Sequence, residues 1–330
     1  MSLSALDRNF INRFQGGFPL HEDKPFAVMA EQLETNEYQL LELITQLCNK
    51  GQLSRFGPIY NATLLGGSQT LAAIEVPEAH FAEVTELVNA MPEVAHNYRR
   101  EHRLNMWFVV ASSCVDGVEQ TLARIEQTTG LPVYNFPKQH EFYLGLWLQL
   151  DDNGKVDTIP VPENTAPMAI GYHPDQIDRN IITTTQAGLP ICSDPLASLA
   201  DQLQMDRDNL LERMQQMLQY GAIRRIGAVP NHYRLGLRGN GMSVWDVPDE
   251  LALELGKQVG ALDFVSHAYL RPRYDRIWRY NLFAMVHGCE RGEVERKTEK
   301  IAKLLAPHCR AHEVLFSSEV LKKTGLRLAA

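Results

Sequence analysis

QGGFPLHEDKPFAVMAEQL, starting at Gln15, returns about 171 residues later as QAGLPICSDPLASLADQL at Gln186, and GQLSRFGPIYN at Gly51 returns as GAIRRIGAVPN at Gly221. In the same order, EVAHNYRREHRLNMWFVV has its counterpart in DFVSHAYLRPRYDRIWRYNLFAMV. The period is far too long for a stacked solenoid repeat, so the chain carries two diverged copies of one domain or domain pair. The Pro- and Asp-containing stretch DDNGKVDTIPVPENTAPMAIGYHPD, from Asp151 to Asp175, reads as the join between them.

Each copy changes character along its length. Phe26, Val28, Met29, Leu33, then Leu40, Leu41, Ile44 and Leu47 recur at helical spacing, with capping chemistry at Thr35 and a glycine stop at Gly51. This predicts a helix-turn-helix followed by a short hairpin. Beyond it the order is strand (TLAAIEV), helix, strands near Val94 to Arg100 and Leu104 to Ser112, helix, and a strand near Val133. That β-α-β-β-α-β order is ferredoxin-like. The second copy repeats the plan from Leu196 onward, with a last strand near His312. The expected class is α+β, a tandem duplication of a winged helix-turn-helix and a ferredoxin-like domain. The expected units are 1–66 and 67–150, a linker over 151–174, then 175–238 and 239–330.

Composition excludes several alternatives. Of 330 residues, 45% are hydrophobic and 22% charged, which is ordinary globular usage with length for more than one core. The first ten residues, MSLSALDRNF, lack a signal-peptide apolar region, and the apolar run LGLWLQL is far below the roughly 18 residues that span a bilayer. A soluble cytoplasmic protein without membrane contact is expected. The five cysteines are odd in number and scattered, signalling neither disulfides nor a zinc site.

A winged helix-turn-helix followed by a ferredoxin-like domain resembles the Lrp/AsnC family of regulators, whose wing and linker GQLSRFGPIYNATLLG looks like. The resemblance implies a DNA-binding alternative, but the second helix of each motif argues against it. NEYQLLELITQLCNK offers Glu37 and Glu42 with only a terminal Lys50, and DRDNLLERMQQMLQY offsets Arg207 and Arg213 with Asp206, Asp208 and Glu212. Acidic side chains repel phosphate, and the net charge of -8 supplies no global attraction. The expectation is a retained fold without DNA binding.

In this acidic chain HNYRREHRLNMWF, from His96, is conspicuously basic. Side chains two apart in a strand share a face, so His96, Tyr98, Arg100 and His102 fall on one side and Arg99 and Arg103 on the other. The same count in the second copy groups His267, Tyr269, Arg271 and Arg273. Both copies thus present H-x-Y-x-R on one face. A solvated, Arg-rich turn is the alternative for either segment alone; two copies with the same polar face weaken it. Arg recognises carboxylates in a planar, bidentate way, and His moves protons near neutral pH. The expected target is a broad polyanion.

HNYRREHRLNMWF and HAYLRPRYDRIWRYNLFAMVHG resemble the two subunit signatures of siroheme decarboxylases, Lrp-like proteins of heme d1 and alternative heme biosynthesis, and the chain is similar over nearly its whole length to their fused, NirDL-type form. Two departures are visible: Ala268 stands where cysteine is common, and DRIWRYNL replaces a more usual DWPYNL. The resemblance implies loss of the C12 and C18 acetate carboxyl groups of siroheme, giving 12,18-didecarboxysiroheme, with no added cofactor beyond the iron-containing substrate. It places Arg99, Arg100, His102, Arg103, Arg271 and Arg273 as substrate-binding candidates, and His96, His267, Tyr98 and Tyr269 as proton-delivering or orienting groups. A non-catalytic tetrapyrrole or amino-acid sensor is the other alternative, and the partner of each half is either the other half or a second chain.

Other constellations carry less. His308 and His312 have helical spacing but follow Pro307 and lack a third ligand, so no metal site is expected. Gly66 and Gly67 lack the strand-to-helix setting of a phosphate loop. Met214, Met217 and Leu218 read as core.

Overall fold

The computed structural model describes residues 3–61, 67–112, 116–162 and 171–323. The first copy runs α1 (Ala5–Arg13), α2 (Pro25–Gln32), α3 (Glu37–Asn49), β1 (Leu53–Tyr60), β2 (Ser68–Ile74), α4 (Phe81–Ala90), β3 (Val94–Arg100), β4 (Met106–Ser112), α5 (Gly117–Thr129), β5 (Val133–Pro137), β6 (His140–Leu144), β7 (Trp147–Leu150) and β8 (Val156–Ile159). The second runs α6 (Gln176–Thr185), α7 (Pro195–Leu203), α8 (Arg207–Gln219), β9 (Ile223–Pro230), α9 (His232–Leu235), β10 (Gly239–Asp246), α10 (Ala252–Gly260), β11 (Val265–Leu270), β12 (Leu282–Gly288), α11 (Arg291–Leu305) and β13 (Ala311–Lys323). The helix starts are chemically marked. Asn36 caps α3 through the Gln39 amide, while Ser4 with Asp7 and Asp175 with Asp178 form matching capping boxes on α1 and α6.

The two helix-turn-helix units fuse into one core, in which Phe10, Phe18, Phe26, Phe56, Ile44, Ile181, Leu199, Met214 and Ile226 are buried together. The expected wing hairpins are replaced by a pairing between copies. β1 runs antiparallel to β9 with Gly57 opposite Gly227. After β9 no return strand follows, because the Asn231 side chain caps the short helix α9; residues 62–66, the matching stretch of the first copy, lie outside the described residues.

The ferredoxin-like parts also merge. Their strands form one sheet in the order β5-β2-β4-β3-β13-β10-β12-β11-β6. β5 and β6 lie at its two ends yet follow each other in the chain, so the sheet bends back on itself. Each copy's last segment crosses to the other copy: β6 pairs with β11, and the end of β13 pairs with β3. Helices α4 and α5 cover one outer face and α10 and α11 the other. Between the inner faces lie Trp107, Phe136, Met242, Val244, Trp278 and Phe283. Trp278 comes from DRIWRYNL, the stretch that departs from DWPYNL.

The stretch expected as a linker is partly structured. β7 and β8 form a hairpin whose Leu148, Leu150 and Val156 join the helix-turn-helix core. Buried Gln15 exchanges hydrogen bonds with the Leu148 amide and carbonyl, and Asn12 does so with Leu150. Such pairing is why LGLWLQL is apolar without being a membrane segment. Residues 163–170 of the expected linker, and Gly66 of the glycine pair, lie outside the described residues.

Candidate active site

A cavity of about 450 Å³ opens between the facing halves of the folded sheet and is roofed by β1 and β9. His96, Tyr98 and Arg100 reach it from β3, and His267, Tyr269 and Arg271 from β11. The two constellations match closely. The rings of His96 and Tyr98 are 6.2 Å apart and those of His267 and Tyr269 6.1 Å. The guanidinium of Arg100 lies 5.8 Å from the Tyr98 ring, and that of Arg271 4.9 Å from the Tyr269 ring. Each arginine is anchored by the other copy: Arg100 Nη1 donates to the Leu315 carbonyl, and Arg271 Nη1 to that of Phe136. Both Nε atoms are buried without a hydrogen-bond partner among the described residues.

Four other expected contacts do not reach the cavity. β3 ends at Arg100, so counting by two no longer applies at His102, which sits in the following turn. There His102 Nδ1 accepts the Leu104 amide, and Nε2 lies 3.6 Å from Glu313. Arg99 leaves by the opposite face to Glu78 and covers the Phe81 ring, and Arg103 pairs with Glu75 at 2.7 Å. Arg273 is held by Asp246 and Asp249 past the end of β11. These groups are satisfied by carboxylates already present. Of the His308 and His312 pair, His312 stacks on Trp245 at 4.6 Å.

The cavity also holds residues that strand counting did not single out. Lys138 follows β5, Arg224 and Arg225 come from β9, His232 and Tyr233 from α9, Asn240 from β10, His287 from β12 and Lys323 from the end of β13. The Arg224–Arg225 pair was legible as basic but belonged to a presumed wing. His287 lies on the face of Phe283 and Met285, two residues further along, and nothing in the sequence separated it from core.

None of the described lining residues is Asp or Glu, while six are Lys or Arg. Glu141, just behind the lining, takes Lys138 at 2.8 Å and Arg224 at 3.6 Å. Leu71, Trp107, Val109, Met242, Phe283 and Met285 supply an apolar floor. Burial governs the titrations. It pushes His96 and His267 down to about 4, His287 to about 3, and His232 well below its usual value; neighbouring positive charge adds to the effect, and at His267 the Glu141 carboxylate opposes it. Burial likewise lowers Arg100 and Arg271 to about 10 and Lys323 to about 8, and it raises Tyr98 and Tyr269. At neutral pH the arginines are therefore charged, the histidines neutral and the tyrosines protonated.

A duplicated helix-turn-helix joined to paired ferredoxin-like sheets around a basic cavity defines an AsnC-type ligand-binding architecture, and the family model described as the AsnC-like ligand binding domain matches residues 65–143 and 234–322. A second, described as the siroheme decarboxylase NirDL-like HTH domain, matches residues 7–53 and 178–224. The siroheme decarboxylase of Hydrogenobacter thermophilus is 32% identical over 318 residues, covering 95% of this chain and 92% of that one. The siroheme decarboxylase NirH subunit of Pseudomonas aeruginosa is 56% identical over 151 residues, 46% of this chain and 88% of the subunit. The crystal structure of the siroheme decarboxylase NirDL in complex with an iron-uroporphyrin III analogue superposes with a TM-score of 0.71 at 27% identity, covering 98% of this chain and 93% of that one. The chain belongs to the siroheme decarboxylase family.

Proposed function

We infer that this chain decarboxylates siroheme in the cavity of the folded sheet, removing the C12 and C18 acetate carboxyl groups to give 12,18-didecarboxysiroheme for heme d1 synthesis. The observation that carries the reading is the lining itself. Six cations with no described acidic neighbour in the lining surround an apolar floor, in a chain of net charge -8. Siroheme is a flat macrocycle with carboxylates around its rim, and such a cavity complements it on both counts.

Arg100 and Arg271 are positioned to hold rim carboxylates through the buried Nε groups that find no partner among the described residues. Arg225 and Lys323 add positive charge from the roof and one end. When the bond from methylene carbon to carboxylate breaks, carbon dioxide leaves neutral and its electron pair stays on the methylene carbon. The conjugated macrocycle delocalises that pair, so the proposed reaction uses no resident cofactor. A proton then completes the methyl group. Within the lining, His96, His267, Tyr98 and Tyr269 are our candidates for orienting the acetate or delivering that proton. Burial of the reacting carboxylate among apolar side chains favours its loss as an uncharged molecule.

DNA binding is not part of this function. On α8, Arg207 lies 3.3 Å from Asp23 and 3.5 Å from Asp194, and Arg213 lies 2.8 Å from Asp178, so cations that would meet phosphate are occupied. Among the described residues no helix is long and apolar enough to cross a membrane.

Anaerobic incubation with siroheme, followed by mass spectrometry of the extracted tetrapyrrole, tests the reading. Loss of one carbon dioxide for each acetate is expected. An unchanged mass with bound tetrapyrrole would instead establish a sensor, and salt-dependent binding to duplex DNA without turnover would establish a regulator.

A further inference from the structure

Three buried polar side chains of the second copy take no part in the proposed reaction, and they form a chain. Asn240 Nδ2 donates to the carbonyls of Leu237 at 3.2 Å and Arg238 at 3.5 Å, which makes Oδ1 the accepting end of its amide. Oδ1 meets His287 Nδ1, so neutral His287 carries its hydrogen there and offers Nε2 as an acceptor. Ser266 Oγ lies 2.7 Å from that Nε2 and 2.7 Å from His267 Nδ1. The Met285 carbonyl, at 3.4 Å, is a more distant acceptor for the hydroxyl hydrogen, so the hydroxyl donates to His287 and accepts from His267. Neutral His267 is thereby held with its hydrogen on Nδ1 and its lone pair on Nε2.

A bulge makes this chain possible. Val265 pairs with Val286 and His267 with Met285, leaving Ser266 as an extra residue between them. An extra residue breaks the strict alternation of faces, and Ser266 reaches two of the histidines that line the cavity, His267 and His287. The first copy has the same bulge, between Val94 and His96, but not the chemistry. Ala95 stands where the second copy has Ser266, Ala111 where it has His287, and Gln69 where it has Asn240. His96 Nδ1 is buried without a hydrogen-bond partner among the described residues.

We propose that Ser266, His287 and Asn240 are positioning residues that make His267 the proton-handling histidine of the cavity, while His96 contacts substrate without transferring the proton. The proposal rests on the cavity being the decarboxylation site. The neutral chain accepts one proton at His267 Nε2. The Ser266 hydroxyl then lets that charge pass to His287, by taking the Nδ1 proton of His267 and giving its own to His287 Nε2. When the acetate bond breaks, carbon dioxide departs and the electron pair left on the methylene carbon takes the Nε2 proton to form the methyl group, while Ser266 gives a proton back to His267 Nδ1 and takes one from His287 Nε2. The chain returns to its neutral state and takes its next proton from water. Each carbon dioxide released consumes one proton.

The charged and titratable groups around this pair are Tyr269 and Arg271 on β11, Glu141 on β6 with Lys138 before it, Arg224 on β9, His232 on α9, Lys297 on α11 and Lys323 on β13. All stay in place in the serine variants, so a change in the pH profile reports the relay.

The test compares wild type, Ser266→Ala and Ser266→Thr in anaerobic siroheme turnover across pH, with binding followed by absorbance. Alanine already occupies the matching place in the first copy, so Ser266→Ala preserves the fold. Its kcat should fall at least about tenfold with KM unchanged, and the loss of activity at high pH should begin at lower pH. Ser266→Thr, which keeps the hydroxyl, should recover most of the rate. Independently of activity, 15N shifts of the wild-type imidazoles should show His267 with its hydrogen on Nδ1. Unchanged rate and pH profile in Ser266→Ala, or a His267 hydrogen on Nε2, would overturn the relay. A wild type that binds siroheme without converting it would overturn the decarboxylation reading, and the ring tautomer would still decide the hydrogen-bond chain.

Discussion

Arg100 and Arg271 are each 7% exposed and each leave a buried Nε without a partner among the described residues. A charged hydrogen bond of this kind is worth about 1.5–3 kcal/mol, so a substrate carboxylate that completes it gains about 10- to 150-fold in affinity. Arg271→Lys keeps the charge and loses the planar fork; absorbance titration with siroheme should show binding weakened by about tenfold or more. The buried histidines make a second prediction, on stability. His96 and His267 titrate near 4 in the fold, against about 6.5 in an unfolded chain. Between those values the unfolded chain binds protons that the native one refuses. Stability is therefore full above about pH 6.5 and falls as pH drops toward 4, by about 1.4 kcal/mol per unit for each such imidazole. Thermal melts of the ligand-free protein should show Tm falling across this window, less steeply in His267→Gln. At this scale the sequence was informative where a strand was regular: counting by two found the three residues of each face. It overreached at His102, Arg99, Arg103 and Arg273, because a basic residue near a strand end is as readily consumed by a local carboxylate as offered to a ligand.

Secondary structure was legible from periodicity, since each amphipathic helix and alternating strand carries its own pattern. Pairing between copies was not, because a strand's sequence does not specify which edge it will join. β1 and β9 illustrate this. They read as wing hairpins local to each copy, yet Gly227 lies at the centre of an inter-copy ladder, where a Cβ would stand 2.4 Å from the Phe14 carbonyl oxygen and 2.7 Å from the Gly16 nitrogen. Backbone cannot yield as a side chain can. Gly227→Ala should destabilise the fold by about 2 kcal/mol or more, read as a lower denaturant midpoint. Since Arg224 and Arg225 enter the roof from the same strand, substrate affinity should fall with it. The bulges at Ala95 and Ser266 were invisible for the same reason. Nothing in AHNY or SHAY marks an extra residue, yet in the second copy it brings a serine between two histidines.

The duplication was plain in the sequence, but its consequence is a matter of the whole molecule. A tandem repeat can fold as two beads; here β6 completes the sheet of the second copy, the end of β13 lies against β3 of the first, and both helix-turn-helix units share one core. The cavity takes one His-Tyr-Arg face from each copy and is roofed by one strand from each. Neither copy alone has a closed site, and either alone would expose a sheet edge and an apolar core to water. The chain need not be continuous for the fold, however, because the contacts joining the copies are tertiary ones. Cutting the chain within residues 163–170 and co-expressing the two pieces should give a one-to-one complex that copurifies and still converts siroheme. Each piece expressed alone should aggregate or remain unfolded, and should show no turnover. Size-exclusion chromatography with light scattering, followed by the same mass assay, reads both outcomes. A first or second copy that folds as a stable monomer and releases carbon dioxide from siroheme would show that the crossed strands are dispensable and that one His-Tyr-Arg face suffices. Activity only in the paired pieces would show that the site belongs to the duplication itself, with unequal faces that a single self-associating copy would have been obliged to keep identical.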